Sequence, residues 1–275
     1  MQDLAAHYRA TALRALSRLS AGSRNPETVH RARTHLRRLQ AYLELVGERA
    51  NACLIADCVS RLSRLRALQV FAAYLAEQGA PAADRRTVLA EIAAVRTALA
   101  RDKAYADIAA LAERHALPPT PSHTDWLEGR LAVLRRQYSG PLRKQARKAA
   151  RDPRRKRLHK LRLMVKAIRY QEEWAVGQGA GNPRLVHWLK RLQDRLGAYE
   201  DLCQFRRLAQ KLDLRSTKLI VADRRRARAR AWHIPETLLA HLDALIAGRL
   251  HRRNPSGPTT APRAARRQPP GKGLD

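Results

Sequence analysis

Two stretches of this chain carry residues spaced to hold an anion: "VHRARTHLRRLQAYLEL" at 29–45 and "LHKLRLMVKAIRYQEEW" at 158–174. In the first, His30, Arg33 and Arg37 fall three and four residues apart. In the second, His159, Arg162, Lys166 and Arg169 repeat the figure. On an α-helix this spacing stacks side chains along one side. A line of guanidinium and ammonium groups offers charge-assisted hydrogen bonds to phosphate oxygens, and a histidine beside them adds a donor that becomes cationic when an anion raises its pKa.

The competing reading is an ordinary solvated face. Like charges three and four apart destabilise a helix by roughly 0.2–0.5 kcal/mol per pair, and surface helices relieve them with glutamates. Between Arg143 and Arg169 the chain has 13 basic residues in 27, opposed only by Asp152. The pattern recurs, a histidine heads each copy, and acidic partners at four-residue spacing are scarce, so an anion site is the better reading. Leu158, Leu161, Val165 and Ile168 fall on another side of the same helix, which separates its core face from its basic face.

Composition agrees. The 275 residues include 55 Lys and Arg against 24 Asp and Glu, a formal net charge of +31, which implies a polyanionic partner. Residues 1–117 hold 18 basic and 11 acidic side chains, and 118–275 hold 37 and 13, so the excess leans on the second half. Three cysteines, Cys53, Cys58 and Cys203, form no CxxC pair; Cys53 and Cys58 read as small buried apolar residues, and a reduced cytoplasmic setting is expected. No stretch reaches transmembrane length, so no membrane partner is expected, and the N-terminus reads as a first helix.

The elements that must position these residues are all helical. Apolar residues recur at three and four spacing with little glycine, and no strand pattern stands out. The periodicity predicts helices at about 3–20, 27–47, 51–78 and 83–115, a break at "LPPTPS" (117–122), then helices at about 123–150, 154–177, 183–212 and 214–247, with Pro235 kinking or splitting the last. Four helices, a proline-rich break and four more suggest duplication. "LSRLRALQVF" (62–71) aligns with "LGAYEDLCQF" (196–205), with Leu62, Leu68 and Phe71 opposite Leu196, Leu202 and Phe205. The expected architecture is all-α, two four-helix bundles (1–116 and 123–248) related by a pseudo-twofold. Residues 249–275 are rich in proline and basic residues with little to bury, and are expected to be disordered.

"VHRARTHLRRLQAYLEL", "LHKLRLMVKAIRY" and the following "LQDRLGAYEDL" resemble the CHAD family, the conserved-histidine α-helical domain, over about residues 1–248. The resemblance implies two four-helix bundles with a basic central cavity that binds inorganic polyphosphate without catalysis. It implies ligand contacts from His30, Arg33, Arg37 and Arg38 in one half, and from His159, Arg162, Lys166 and Arg169 in the other. The chain departs from the family at Gln40 and Ala167, where basic residues are usual, and at Ala67 and Gln69, where acidic residues are usual. These departures make the first half the expected weaker contributor.

Polyphosphate is thus the expected partner, with association at polyphosphate granules as a corollary and no cofactor. A sequence-nonspecific nucleic-acid binder is the alternative, on the strength of "RRRARAR" (224–230). Against it, aromatics are only 5% of residues, and Tyr42, Trp174, Trp188 and Phe205 sit in core-like positions rather than as stacking platforms. An enzyme is the third reading. Asp194, Glu200 and Asp201 are the only suggestive acidic group, expected instead to pair with Arg191 and Arg195; His30 and His35 are five apart and fall on different faces, and no GxxxxGK loop occurs.

Overall fold

The structure is a computed structural model that describes residues 4–114, 117–118 and 124–247. The expectation of a disordered 249–275 lies outside the described residues. Within them the regular secondary structure is entirely helical: α1 (Leu4–Ser20), α2 (Pro26–Val46), α3 (Arg49–Arg61), α4 (Ser63–Glu77), α5 (Ala82–Arg101), α6 (Ala104–Arg114), α7 (Thr124–Arg151), α8 (Arg155–Gly177), α9 (Pro183–Lys211), α10 (Thr217–Trp232), α11 (Ile234–Ala240) and α12 (Leu242–Ile246).

Three predicted helices are broken. The 51–78 segment divides at Leu62, a residue with helical dihedrals that no proline or glycine marks. The 83–115 segment divides at Asp102–Lys103, where Lys103 takes a left-handed conformation with φ 51°. The 214–247 segment begins at Thr217 and divides at His233, just before Pro235 opens α11, and again at His241. Proline at a first-turn position needs no amide partner, so Pro235 starts a helix rather than bending one.

The helix α2 is well bounded. The Asn25 side chain accepts a hydrogen bond from the Glu27 amide at 2.8 Å, Pro26 opens the first turn, and Gly47 closes the helix in the left-handed region at φ 94°. His30 therefore lies just beyond the first turn of α2, as His159 does in α8 (Arg155–Gly177).

In each part of the chain, helices pack mainly on their neighbours in sequence. Helix α1 lies against α2 and α6, α2 against α3, and α4 against α5; later, α7 lies against α8, α11 and α12, α8 against α9, and α9 against α10. The two parts meet where α2 packs on α8 and α4 on α9. Asp84 of α5 accepts hydrogen bonds from the Ser216 amide and hydroxyl at the head of α10, and the Tyr74 hydroxyl donates to Asp223 at 2.7 Å.

The apolar core does not divide at the proline-rich break. One buried cluster joins first-half residues such as Tyr42, Phe71 and Leu75 to Leu131, Trp174 and Phe205, and a second is confined to α7–α12. The Phe71 and Phe205 rings stack with centroids 5.0 Å apart. Tyr42, Trp174, Trp188 and Phe205 are all buried, as are Leu158, Leu161, Val165 and Ile168. Cys58 and Cys203 are buried too, but Cys53 is exposed, contrary to its reading as a core residue, because it faces an open cavity between α3, α7 and α8.

Candidate anion-binding site

An open cavity of about 780 Å³ lies between α2, α4, α8 and α9. The packing of α2 on α8 brings the two basic ladders to it from facing walls: His30, Arg33 and Arg37 from α2, and His159, Arg162 and Lys166 from α8. Four further cations line it, Arg66 on α4, Arg155 on α8, and Arg207 and Lys211 on α9. Two carboxylates, Glu200 and Asp201, are its acidic groups.

This crowding shifts ionisation. Burial, reinforced by Arg37, Arg162, Arg33 and Arg169, drives the Lys166 ammonium down to about 6. Burial together with Arg37 and Arg66 brings Arg33 to about 10. His30 is pushed down by burial and then by Arg66. Asp201 is pushed up by burial, with Arg162 acting in the opposite direction. The cavity without a ligand is therefore electrostatically costly to the cations around it, as expected where like charges share a desolvated wall.

Several hydrogen-bonding groups remain open. The Arg33 terminal nitrogen Nη2 donates to Ser63 Oγ at 3.1 Å, yet Arg33 Nε and Arg162 Nε are buried without a partner. The break at Leu62 places Ser63 in the first turn of α4, where its hydroxyl donates to Val59 O at 3.0 Å and accepts from Arg33. Glu200 pairs with Arg155 and lies 3.4 Å from His159 Nδ1, so its partners are on α8 and not Arg191 or Arg195.

Two residues that the sequence pointed to lie elsewhere. Arg38 Nη2 meets Glu173 Oε1 at 2.7 Å, and Arg169 Nη1 meets Glu173 Oε2 at 2.9 Å, so one carboxylate bridges α2 and α8. Arg169 also donates from Nε to Gln193 Oε1 at 2.9 Å and lies 4.1 Å over the Tyr170 ring. Neither arginine lines the cavity, and both are occupied by protein groups. The Arg169–Glu173 spacing of four was a visible sign of this pairing. His35 lies apart from His30, its ring 5.9 Å from that of Tyr8. Arg66, Arg155, Arg207 and Lys211 were not named as site residues; Arg155 lies in the unrelieved basic run four residues before His159, and Arg207 and Lys211 are four apart, whereas Arg66 carried no such signal.

The CHAD domain family model matches residues 4–210. The chain belongs to the CHAD family. The crystal structure of the CHAD domain from the plant Ricinus communis is similar to this CHAD protein, with a TM-score of 0.52 and 22% sequence identity over 89% of this chain and 91% of that one. At that identity the likeness concerns the fold. No curated protein matches this CHAD chain. Among its described residues, no helix is long and apolar enough to cross a membrane.

Proposed function

We propose that this CHAD protein binds inorganic polyphosphate in the cavity between α2, α4, α8 and α9, and that it does so without catalysis. The observation that carries this reading is the convergence of Arg33, Arg37, Arg162 and Lys166 in one open cavity, with eight Lys and Arg side chains lining it against two carboxylates. A flexible polymer of anionic groups supplies the missing counter-charge repeatedly, and arginine forks suit its non-bridging oxygens. The matching place of each ladder, just beyond the first turn of α2 and of α8, supports reading them as two walls that together clasp the polymer. In a cell, such a protein would accompany polyphosphate in the cytoplasm, including at granules.

The lining disfavours single-stranded nucleic acid. Its Phe, Tyr and Trp side chains are Tyr170, with Arg169 on its face, and Phe205, stacked on Phe71, so no large aromatic platform is offered to an incoming base. The second reading, backbone binding of nucleic acid, is favoured by one feature outside the cavity, the exposed Arg225, Arg228 and Arg230 of α10. A competition among polyphosphate, single-stranded DNA, duplex DNA and RNA, at matched phosphate concentration and physiological salt, separates the two. Polyphosphate should win clearly; equal or better binding of duplex DNA overturns the proposal.

A further inference from the structure

A second cavity, of about 730 Å³, opens between α3, α7 and α8. Helix α8 contributes to both cavities from different sides. His159, Arg162 and Lys166 face the first, while Lys160, Met164 and Gln171 face the second, about 150° round the helix at 100° per residue. The two linings differ in chemistry. The second is floored by Leu134, Tyr138, Pro141 and Met164, and its cations are Arg49, Arg130, Lys144, Lys148 and Lys160. These three lysines, all exposed, form no ion pair among the described residues.

The acidic residue on this wall, Glu44, is occupied on both oxygens. Oε1 accepts from Gln40 at 2.8 Å and Oε2 from Gln171 at 3.3 Å. Pro141, inside α7, has no amide hydrogen, which leaves the carbonyl of Gln137, another wall residue, without its usual helical donor. The cavity thus combines an apolar floor with five cations, of which Arg49, Lys144, Lys148 and Lys160 are exposed. Ligand pockets have this makeup and size, a mainly apolar wall of roughly 300–1,000 Å³ with a few polar groups that fix orientation. An all-ionic polymer gains nothing from the apolar floor, and a neutral hydrocarbon gains nothing from the lysines.

We propose that this cavity is a second ligand site, for a small amphipathic anion. Its apolar body lies on Leu134, Tyr138, Pro141 and Met164, and its single phosphate or carboxylate head meets Lys144, Lys148 and Lys160. The site is independent of polyphosphate binding. Cys53 lies on its wall and is the exposed cysteine, whereas Cys58 and Cys203 are buried, so its thiol reports on occupancy.

The test uses the full chain and 8-anilinonaphthalene-1-sulfonate, an aromatic body with one anionic head. The expected result is saturable one-to-one binding with enhanced fluorescence, displacement by decyl phosphate below its micellar concentration, and at least a fivefold slowing of Cys53 alkylation by iodoacetamide. Lys148→Gln with Lys160→Gln, both exposed positions, should weaken the dye about tenfold without altering helicity or melting. Arg33→Ala with Arg37→Ala should leave dye binding unchanged whether or not polyphosphate binds the first cavity. Absence of saturable binding, an unprotected Cys53, or loss in the arginine variant but not in the lysine variant overturns the proposal.

Discussion

If the ladders form one polyphosphate site, removing two cations from either wall should cost the same. The perturbations are Arg33→Ala with Arg37→Ala on α2, and Arg162→Ala with Lys166→Ala on α8. Hydrogen bonds to charged groups are worth about 1.5–3 kcal/mol each. The cavity is open to solvent, so the low end applies, and two lost contacts amount to about 3 kcal/mol, roughly a hundredfold in Kd. The greater loss expected on the second wall rested on its more basic surroundings and on Arg169 standing where the first has Gln40; Arg169 is held by Glu173 instead, and Arg66 and Arg33 stand on the first wall as Arg155 and Arg162 do on the second. The walls should therefore contribute alike. The logarithmic salt dependence should flatten by about 1.4 in each variant, taking about 0.7 per neutralised charge as for single-stranded polyanions. Since the cations repel one another, neither variant should melt below the parent protein. Titration of a long polyphosphate by fluorescence or calorimetry at several salt concentrations, with circular-dichroism melting, measures all of this. Arg85→Ala with Arg86→Ala, on the exposed side of α5, removes equal charge and should change Kd little. Equal weakening by that control would mean that affinity follows net charge alone, and the argument from geometry would fail.

Lys166 gives a pH dependence with a definite sign. Titrating near 6 in the free protein, well below an unfolded lysine, it binds fewer protons folded than unfolded between those values, so its contribution makes folding stability rise with pH across that window. Polyphosphate restores its charge, so binding should take up protons above pH 6 and weaken as pH rises, a trend that Lys166→Arg should flatten in buffers of different ionisation enthalpy. Glu172 and Arg135 form a buried pair at 2.6 Å, with side-chain exposures of 1% and 11%. Glu172→Ala should lower unfolding free energy by about 3–5 kcal/mol in a urea titration, because it strands the arginine. Asp201→Asn removes a carboxylate from the cavity and should tighten polyphosphate binding severalfold. The parent protein should release no phosphate from polyphosphate with magnesium or manganese present, and metal-dependent release lost in that variant would contradict the non-catalytic reading.

The helical class and the two basic faces could be read from the chain, because both depend on short-range periodicity. The core face of α8 was fixed by Leu158, Leu161, Val165 and Ile168, and its basic face by unrelieved like charges. What could not be read depends on how helices approach one another. Arg38 meets Glu173 only because α2 lies on α8, and Arg66 and Arg207 reach the cavity only through the packing of α4 and α9. The break at Leu62 carries no proline or glycine, so periodicity runs through it unmarked. Cys53 was misplaced because a small residue in a helical run carries little facing information of its own.

The core that runs through Tyr42, Phe71, Trp174 and Phe205 also determines who bears the entropy of capture. Walls fastened to a common interior cannot swing apart as jaws without exposing that interior to water, so under the proposed function the cavity is in place before a polyphosphate arrives. Ordering then falls on the ligand, whose own backbone must surrender its freedom segment by segment along the cations. Each added phosphate already tethered to a bound neighbour arrives at high local concentration. Short oligomers should therefore exchange rapidly. Chains long enough to span both walls should leave slowly, with residence time rather than encounter rate lengthening as the polymer grows.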